Sequence, residues 1–192
     1  MQLLSADWFA AGAVDVAPLL LNKVMRVGEC QARIVEVEAY TADDAASHSF
    51  RGQTRRNAVM FGPAGEWYVY FTYGMHYCAN VVTGADGDGQ AVLVRAAVPL
   101  AGIDIMRARR AGRSDRELLN GPAKLAQAFG IDLAMNGAPA TIFDDGVTPP
   151  LQPVVTRRVG ISKAVDLPRR WLVPAEAATA GAPVSPGRRR AR

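Results

Sequence analysis

Between Glu66 and Val98 the chain runs three times into β-branched and aromatic residues, with two glycine-centred breaks, and this pattern constrains the fold most. Glu66 to Tyr73 and His76 to Thr83 flank Gly74, a break too short for anything but a hairpin. Gly84 to Gly89 reads as a second turn and Gln90 to Val98 as a third strand. Strands joined this closely pair antiparallel, because a parallel crossover needs a dozen residues or more. Alternation predicts a further strand over Arg33 to Tyr40. Helices are expected from Ser5 or Asp7 to about Leu21 with a break at Pro18, and from Asp104 to about Arg116. A third should start at Asn120-Gly121-Pro122 and stop at Gly130. A last strand is expected around Val154 to Ile161. The resulting class is α+β, in a single mixed domain over residues 1–173.

Composition narrows the function. Apolar residues make up 49% of the 192, enough for a real core. No run approaches the ~18 apolar residues of a membrane span: Asp15 and Arg95 interrupt the longest ones. The first basic residue is Lys23, unlike the charged start of a secretory signal. Two cysteines, Cys30 and Cys78, cannot build a disulfide framework, so a reducing, cytoplasmic setting is expected. Residues 174–192 are small, Pro-rich and Arg-rich, the composition of a disordered tail. The net charge of +4 is mostly theirs: the tail carries +3 and residues 1–173 only +1. Support for a polyanionic partner therefore comes from local clusters, Arg51, Arg55 and Arg56 in one loop, Arg109, Arg113 and Arg116 at helical spacing, and Lys163.

Alternation of strand side chains puts Val35, Val37 and Ala39 on one face and Ile34, Glu36, Glu38 and Tyr40 on the other. Such a face is either solvated or one wall of a site. The polar loop from Thr41 to Ala58, with His48 and three arginines, favours the site. The hairpin holds seven ring-bearing residues between Trp67 and Tyr77. It is either core or, with Tyr73 and Met75 at the turn, a wedge of the kind that enters between base steps. His76, Cys78, Cys30 and His48 match no zinc spacing, and no metal or cofactor is expected. No Rossmann fingerprint, Walker loop or nucleophile elbow is present. Of the three lysines, none lies within the aromatic or acidic runs.

Taken together and in order, a longer set of residues resembles the alkyladenine (3-methyladenine) DNA glycosylase family. It comprises the strand Arg33 to Tyr40, His48-Ser49, Arg51-Gly52, Thr54, Arg56-Asn57, Met60-Phe61 and Tyr68 to Met75. It continues through Asn80, Gly87 to Gly89, Val92 to Ala96, Gly121 to Leu125 and Arg158 to Ile161. The segment after Ile161 departs from the family pattern. The resemblance implies a curved antiparallel sheet with surrounding helices and a protruding hairpin. It implies Glu38 as the catalytic carboxylate with Arg95 beside it and the water. It implies Tyr40 as one wall of a base pocket, His48 and Tyr70 as the other, Asn80 at the floor and Leu93 on the lining. Tyr73, with Met75 beside it, would fill the gap left by a flipped nucleotide.

The implied reaction is hydrolysis of the N-glycosidic bond of an alkylated purine in double-stranded DNA, by a monomer. A base inside a duplex must be extruded, at an unstacking cost of a few kcal/mol. Aromatic walls suit a cationic methylated base. An ionised Glu38 would stabilise positive charge on the sugar and take a proton from water, with no covalent intermediate and no strand-cleaving lyase step. Arg51, Arg55, Arg56 and Lys163 are expected on phosphates. The alternatives are a non-catalytic binder of distorted DNA and a hydrolase of free nucleosides.

Overall fold

The computed structural model describes residues 1–72 and 74–174, so the expectations for Tyr73 and for the tail beyond Pro174 lie outside it. The described residues form nine strands: β1 (Gln2–Leu3), β2 (Val24–Val27), β3 (Cys30–Tyr40), β4 (Trp67–Thr72), β5 (His76–Thr83), β6 (Gln90–Ala101), β7 (Ile142–Asp144), β8 (Val154–Thr156) and β9 (Arg170–Leu172). They form three α-helices: α1 (Ala13–Leu20), α2 (Ile103–Arg109) and α3 (Pro122–Phe129). The sheet runs β1-β7-β2-β3-β6-β5-β4, every described pairing is antiparallel, and the class is α+β as expected.

The long strand β3 organises the molecule. One edge pairs with β6 along its length. The other pairs first with β2, through residues 30–33, and then with β9, through Glu36 to Glu38. Alternation is broken within it. The β3–β6 register slips at Glu36 and is recovered at Val37. Ile34 and Val35, neighbours in sequence, both join the hydrophobic core with Val37 and Ala39. Ile34 was expected beside Glu36; the local irregularity re-aims it, as β-bulges do.

The remaining alternation sorts the sheet into two sides. Trp67, Val69, Ala79, Val81, Val92 and Val94 pack with Ala13, Val16 and Leu20 of α1 and Leu125 and Phe129 of α3 in the main core. Tyr68, Val82 and Ala91 instead join Met60, Tyr40 and Tyr70 in a second, smaller cluster under the 41–61 loop.

The hairpin strands and α3 lie where local signals put them. Pro122 opens α3 and Gly130, at φ +69°, ends it. Two helices are shorter than expected. The 5–21 segment splits into a 3-10 turn over Ala6–Phe9 and α1, because Gly12 is extended at the break, and Pro18 lies inside α1. α2 ends at Arg109, and the chain then turns through Ala111 and Gly112, both at positive φ. Arg107, bridging Asp104 and Asp115 at 2.7 Å each, folds the following segment back. The expected Arg109/Arg113/Arg116 stripe is therefore absent: only Arg109 is in the helix, and its guanidinium donates to the Ala128 carbonyl at 3.2 Å. The strand expected around Val154 to Ile161 is also shorter: β8 ends at Thr156, which frees Arg158 to Ile161 as a loop.

Candidate active site

The second side of the sheet carries one row of directly opposed residues across four strands. Glu38 on β3 faces Leu93 on β6, Leu93 faces Asn80 on β5, and Asn80 faces Tyr68 on β4. The next residues of the same parity, Tyr40 on one side and Tyr70 and Cys78 on the other, extend that row into a basin. The 41–61 loop and residues 159–163 close it to a cavity of about 490 Å³. Tyr40, His48, Tyr70, Asn80, Leu93, Arg95 and Lys163 all line it, so the structure brings together seven of the residues singled out in the sequence. That volume suits a purine-sized ligand.

Glu38 lies behind this surface, with no exposure to solvent. Its Oε1 accepts the Val159 amide at 2.8 Å. Its Oε2 accepts the Tyr40 hydroxyl at 2.8 Å and Arg95 Nη1 at 3.1 Å. A carboxylate has about four lone-pair sites, so these donors leave one for a water. Arg95 also donates from Nε to Glu36 Oε1 at 2.9 Å. Burial pulls the Arg95 pKa down, but Glu38 and Glu36 together outweigh it and the net shift is upward, so the guanidinium stays charged. Burial and the neighbouring carboxylate push the Tyr40 hydroxyl well above its ordinary pKa, which keeps it a donor.

The opposite wall is aromatic. His48 Nδ1 lies 2.8 Å from the Tyr68 hydroxyl, and the imidazole meets the Tyr70 ring edge-on, centroids 4.5 Å apart. Burial first, and then the Arg56 charge, lower the His48 pKa, so the neutral imidazole is favoured. Burial pushes the Tyr68 hydroxyl up to about 12. It also raises Tyr70 and the Cys78 thiol that contacts it. Asn80 donates to the Tyr68 carbonyl at 2.9 Å, which fixes its amide at the cavity floor. The loop bearing His48 is pinned by buried Asn57, whose amide donates to the His48 carbonyl at 2.8 Å and the Gly52 carbonyl at 3.1 Å.

Two positions without an expected role prove central. The Arg158 side chain is wholly buried, paired with Asp44 through Nη1 and Nη2, and donates from Nη1 to the Ala39 carbonyl at 3.0 Å. Its guanidinium sits 4.6 Å from the Tyr40 ring centroid and is not part of the cavity lining. Arg170 Nε approaches Glu36 Oε1 at 3.4 Å. Arg158 belongs to a run singled out in the sequence, but nothing local could pair it with Asp44, 114 residues away.

Arg51 and Arg55 are exposed, Lys163 is exposed where it lines the cavity, and Arg56 donates to the Phe71 carbonyl at 3.2 Å. Met75, at the hairpin tip, is 69% exposed. A second hollow beside the hairpin is lined by His76, Arg110, Arg113, Glu117, Ala123, Lys124 and Gln127. Among the described residues no group of three His, Cys, Asp or Glu side chains comes together as a metal site. Among them, too, no helix is long and apolar enough to cross a membrane.

Comparison with known proteins gives one answer. The methylpurine-DNA glycosylase family matches residues 7–177. A Burkholderia cenocepacia protein named "Putative 3-methyladenine DNA glycosylase" is 50% identical over 185 residues, covering 91% of this chain and 89% of that one. Proteins of the same name from Carboxydothermus hydrogenoformans and Methanoculleus marisnigri are each 49% identical, over 181 and 179 residues. Each comparison covers 88% of this chain, and 94% and 93% of the respective relatives.

Proposed function

The chain belongs to the methylpurine-DNA glycosylase family, and from that premise we propose that it extrudes alkylated purines from duplex DNA and hydrolyses their N-glycosidic bond with a water activated by Glu38. The observation that carries this reading is a buried carboxylate with three donors, set behind the wall of a purine-sized, aromatic-lined cavity.

The extruded base enters between Tyr40 and the His48–Tyr70 wall, where ring faces favour a cationic methylpurine. A neutral His48 adds no repelling charge. Asn80 at the floor crowds a purine bearing an extra exocyclic amino group. As the glycosidic bond breaks, positive charge grows on the sugar, and the Glu38 carboxylate stabilises it. The same carboxylate takes the proton of the attacking water through its remaining lone-pair site. Arg95 and Val159 hold the carboxylate in place, which avoids a reorganisation cost in the transition state. Met75, exposed at the hairpin tip, and Tyr73 fill the space left in the duplex, and Arg51, Arg55, Arg56 and Lys163 take phosphates. Water is the nucleophile, so no lyase step follows. Lys163 is the lysine closest to this chemistry, since it lines the cavity.

The test is release of free base from duplex DNA methylated at adenine N3. Glu38→Gln should keep duplex binding and lose release; full activity in that variant would remove Glu38 from the mechanism. Wild-type binding without any release would mean a binder of distorted DNA. Tyr73→Ala should cripple release from duplex DNA, whereas a nucleoside hydrolase would be indifferent to it. Borohydride should trap no protein–DNA adduct.

A further inference from the structure

The acid behind the cavity is half of a pair. Glu36 and Glu38 are both wholly buried, two residues apart on the non-core side of β3, and one guanidinium serves both. Arg95 gives Nε to Glu36 at 2.9 Å and Nη1 to Glu38 at 3.1 Å. Arg170 sits directly opposite Glu38 in the β3–β9 register and lies 3.4 Å from Glu36 Oε1 by its Nε. The strand register slips at Glu36, beside Arg95. The cluster therefore holds two carboxylates and two guanidiniums, and a buried carboxylate is retained at such a cost only when it is paired.

We infer that Glu36 is a positioning residue for base release. It anchors the Nε edge of Arg95, so that the other edge of the same guanidinium is presented to Glu38 at a fixed distance. Together with Arg170 it keeps the surroundings of the acid electrically balanced. Without Glu36 the cluster gains one net positive charge next to a sugar that must become cationic, and the Nε edge of Arg95 loses its carboxylate anchor. Without Arg170 the opposite holds: Glu36 competes harder for Arg95, and Glu38 loses cationic support. The other charged or titratable groups facing this pair are Tyr40 from β3, Cys78 from β5 and Tyr70 from β4, with Arg158 behind Tyr40. The helix α1 presents only the uncharged Ala13, Val16, Ala17 and Leu20 to the core.

This inference rests on Glu38 being the group that activates water, and the experiment separates the two. Single-turnover release of N3-methyladenine from duplex DNA is followed against pH for wild type, Glu36→Gln and Arg170→Gln. Glu36→Gln should bind duplex within about threefold of wild type, lose at least about tenfold in plateau rate, and move the acid limb to lower pH by roughly one unit. Arg170→Gln should move that limb to higher pH. A purely structural role would lower melting temperature and leave the limb where it is. Folded variants whose limbs coincide with wild type overturn the inference. If Glu36→Gln does not fold, Arg170→Gln decides alone, and an unmoved limb overturns it. A wild type that binds but releases no base overturns the glycosylase reading itself, and this inference with it.

Discussion

Arg158 lies behind Tyr40: its guanidinium stands 4.6 Å from the ring centroid while its nitrogens hold the Asp44 carboxylate and the Ala39 carbonyl. One buried side chain thus supports the wall of the cavity and the first turn of the loop that closes it. Replacing Arg158 with Met leaves Asp44 a buried charge whose remaining cation is Arg169, 3.5 Å away. Loss of one partner of a buried pair costs about 3 kcal/mol or more. The expected outcome is a lower urea midpoint and, under conditions where the variant is folded, weaker capture of the extruded base. Base release and a denaturation curve on the same preparation check both.

Stability should depend on pH through His48. Its folded pKa is depressed, by desolvation first and by Arg56 second, below the ~6.5 of an unfolded chain. The folded state prefers the neutral ring, so the contribution is complete above about pH 6.5 and drains away as pH falls through the folded value. Melting temperature should hold between pH 7 and 8 and decline below that window. In His48→Gln the decline should be shallower just below pH 6.5. Asp144 and Asp145, held low by Lys23 and Arg33, act only in more acidic solution.

Asn80 should set discrimination between purines. Its amide is fixed to the Tyr68 carbonyl at the cavity floor. Asn80→Ser opens that floor, and release of guanine-derived relative to adenine-derived bases should rise about tenfold. The orphaned carbonyl should cost about 1 kcal/mol. Competition between 7-methylguanine and 3-methyladenine in one duplex mixture measures the ratio.

Phosphate grip should come from Arg51, Arg55 and Lys163 rather than the tail. Deleting residues 174–192 should leave duplex binding largely intact. Each of Arg51→Ala, Arg55→Ala and Lys163→Ala should weaken binding on every sequence and flatten its salt dependence by about 0.9 per lost contact. Titrations at several salt concentrations read both effects. Abolition of binding by the tail deletion would reverse this assignment.

What was legible in the sequence was what short stretches decide. Gly74 and the flanking aromatics sufficed for the hairpin, and Pro122 and Gly130 for the limits of α3. Glu38, Tyr40, His48 and Tyr70 could be named from their motifs, yet their meeting depends on a register row from residue 38 to residues 93, 80 and 68. The short strands β1, β2, β7 and β9 escaped because two to four residues take strand form only when a partner is offered. The Arg stripe failed because helical spacing has meaning only inside a helix, and α2 ends at Arg109. Arg158 and Arg170 were unreadable as site residues because their partners, Asp44 and Glu36, lie more than a hundred residues earlier.

The strand β3 exchanges one edge partner for another, β2 for β9, just where Glu36 and Glu38 begin. Val159 and Arg170, which meet Glu38 from that side, and Arg158 behind Tyr40 come from the last stretch of described chain. A polypeptide made from its amino terminus has both carboxylates, the tyrosines and Arg95 in hand while that edge is still bare. The candidate site is therefore completed only when the final stretch of described chain is in place.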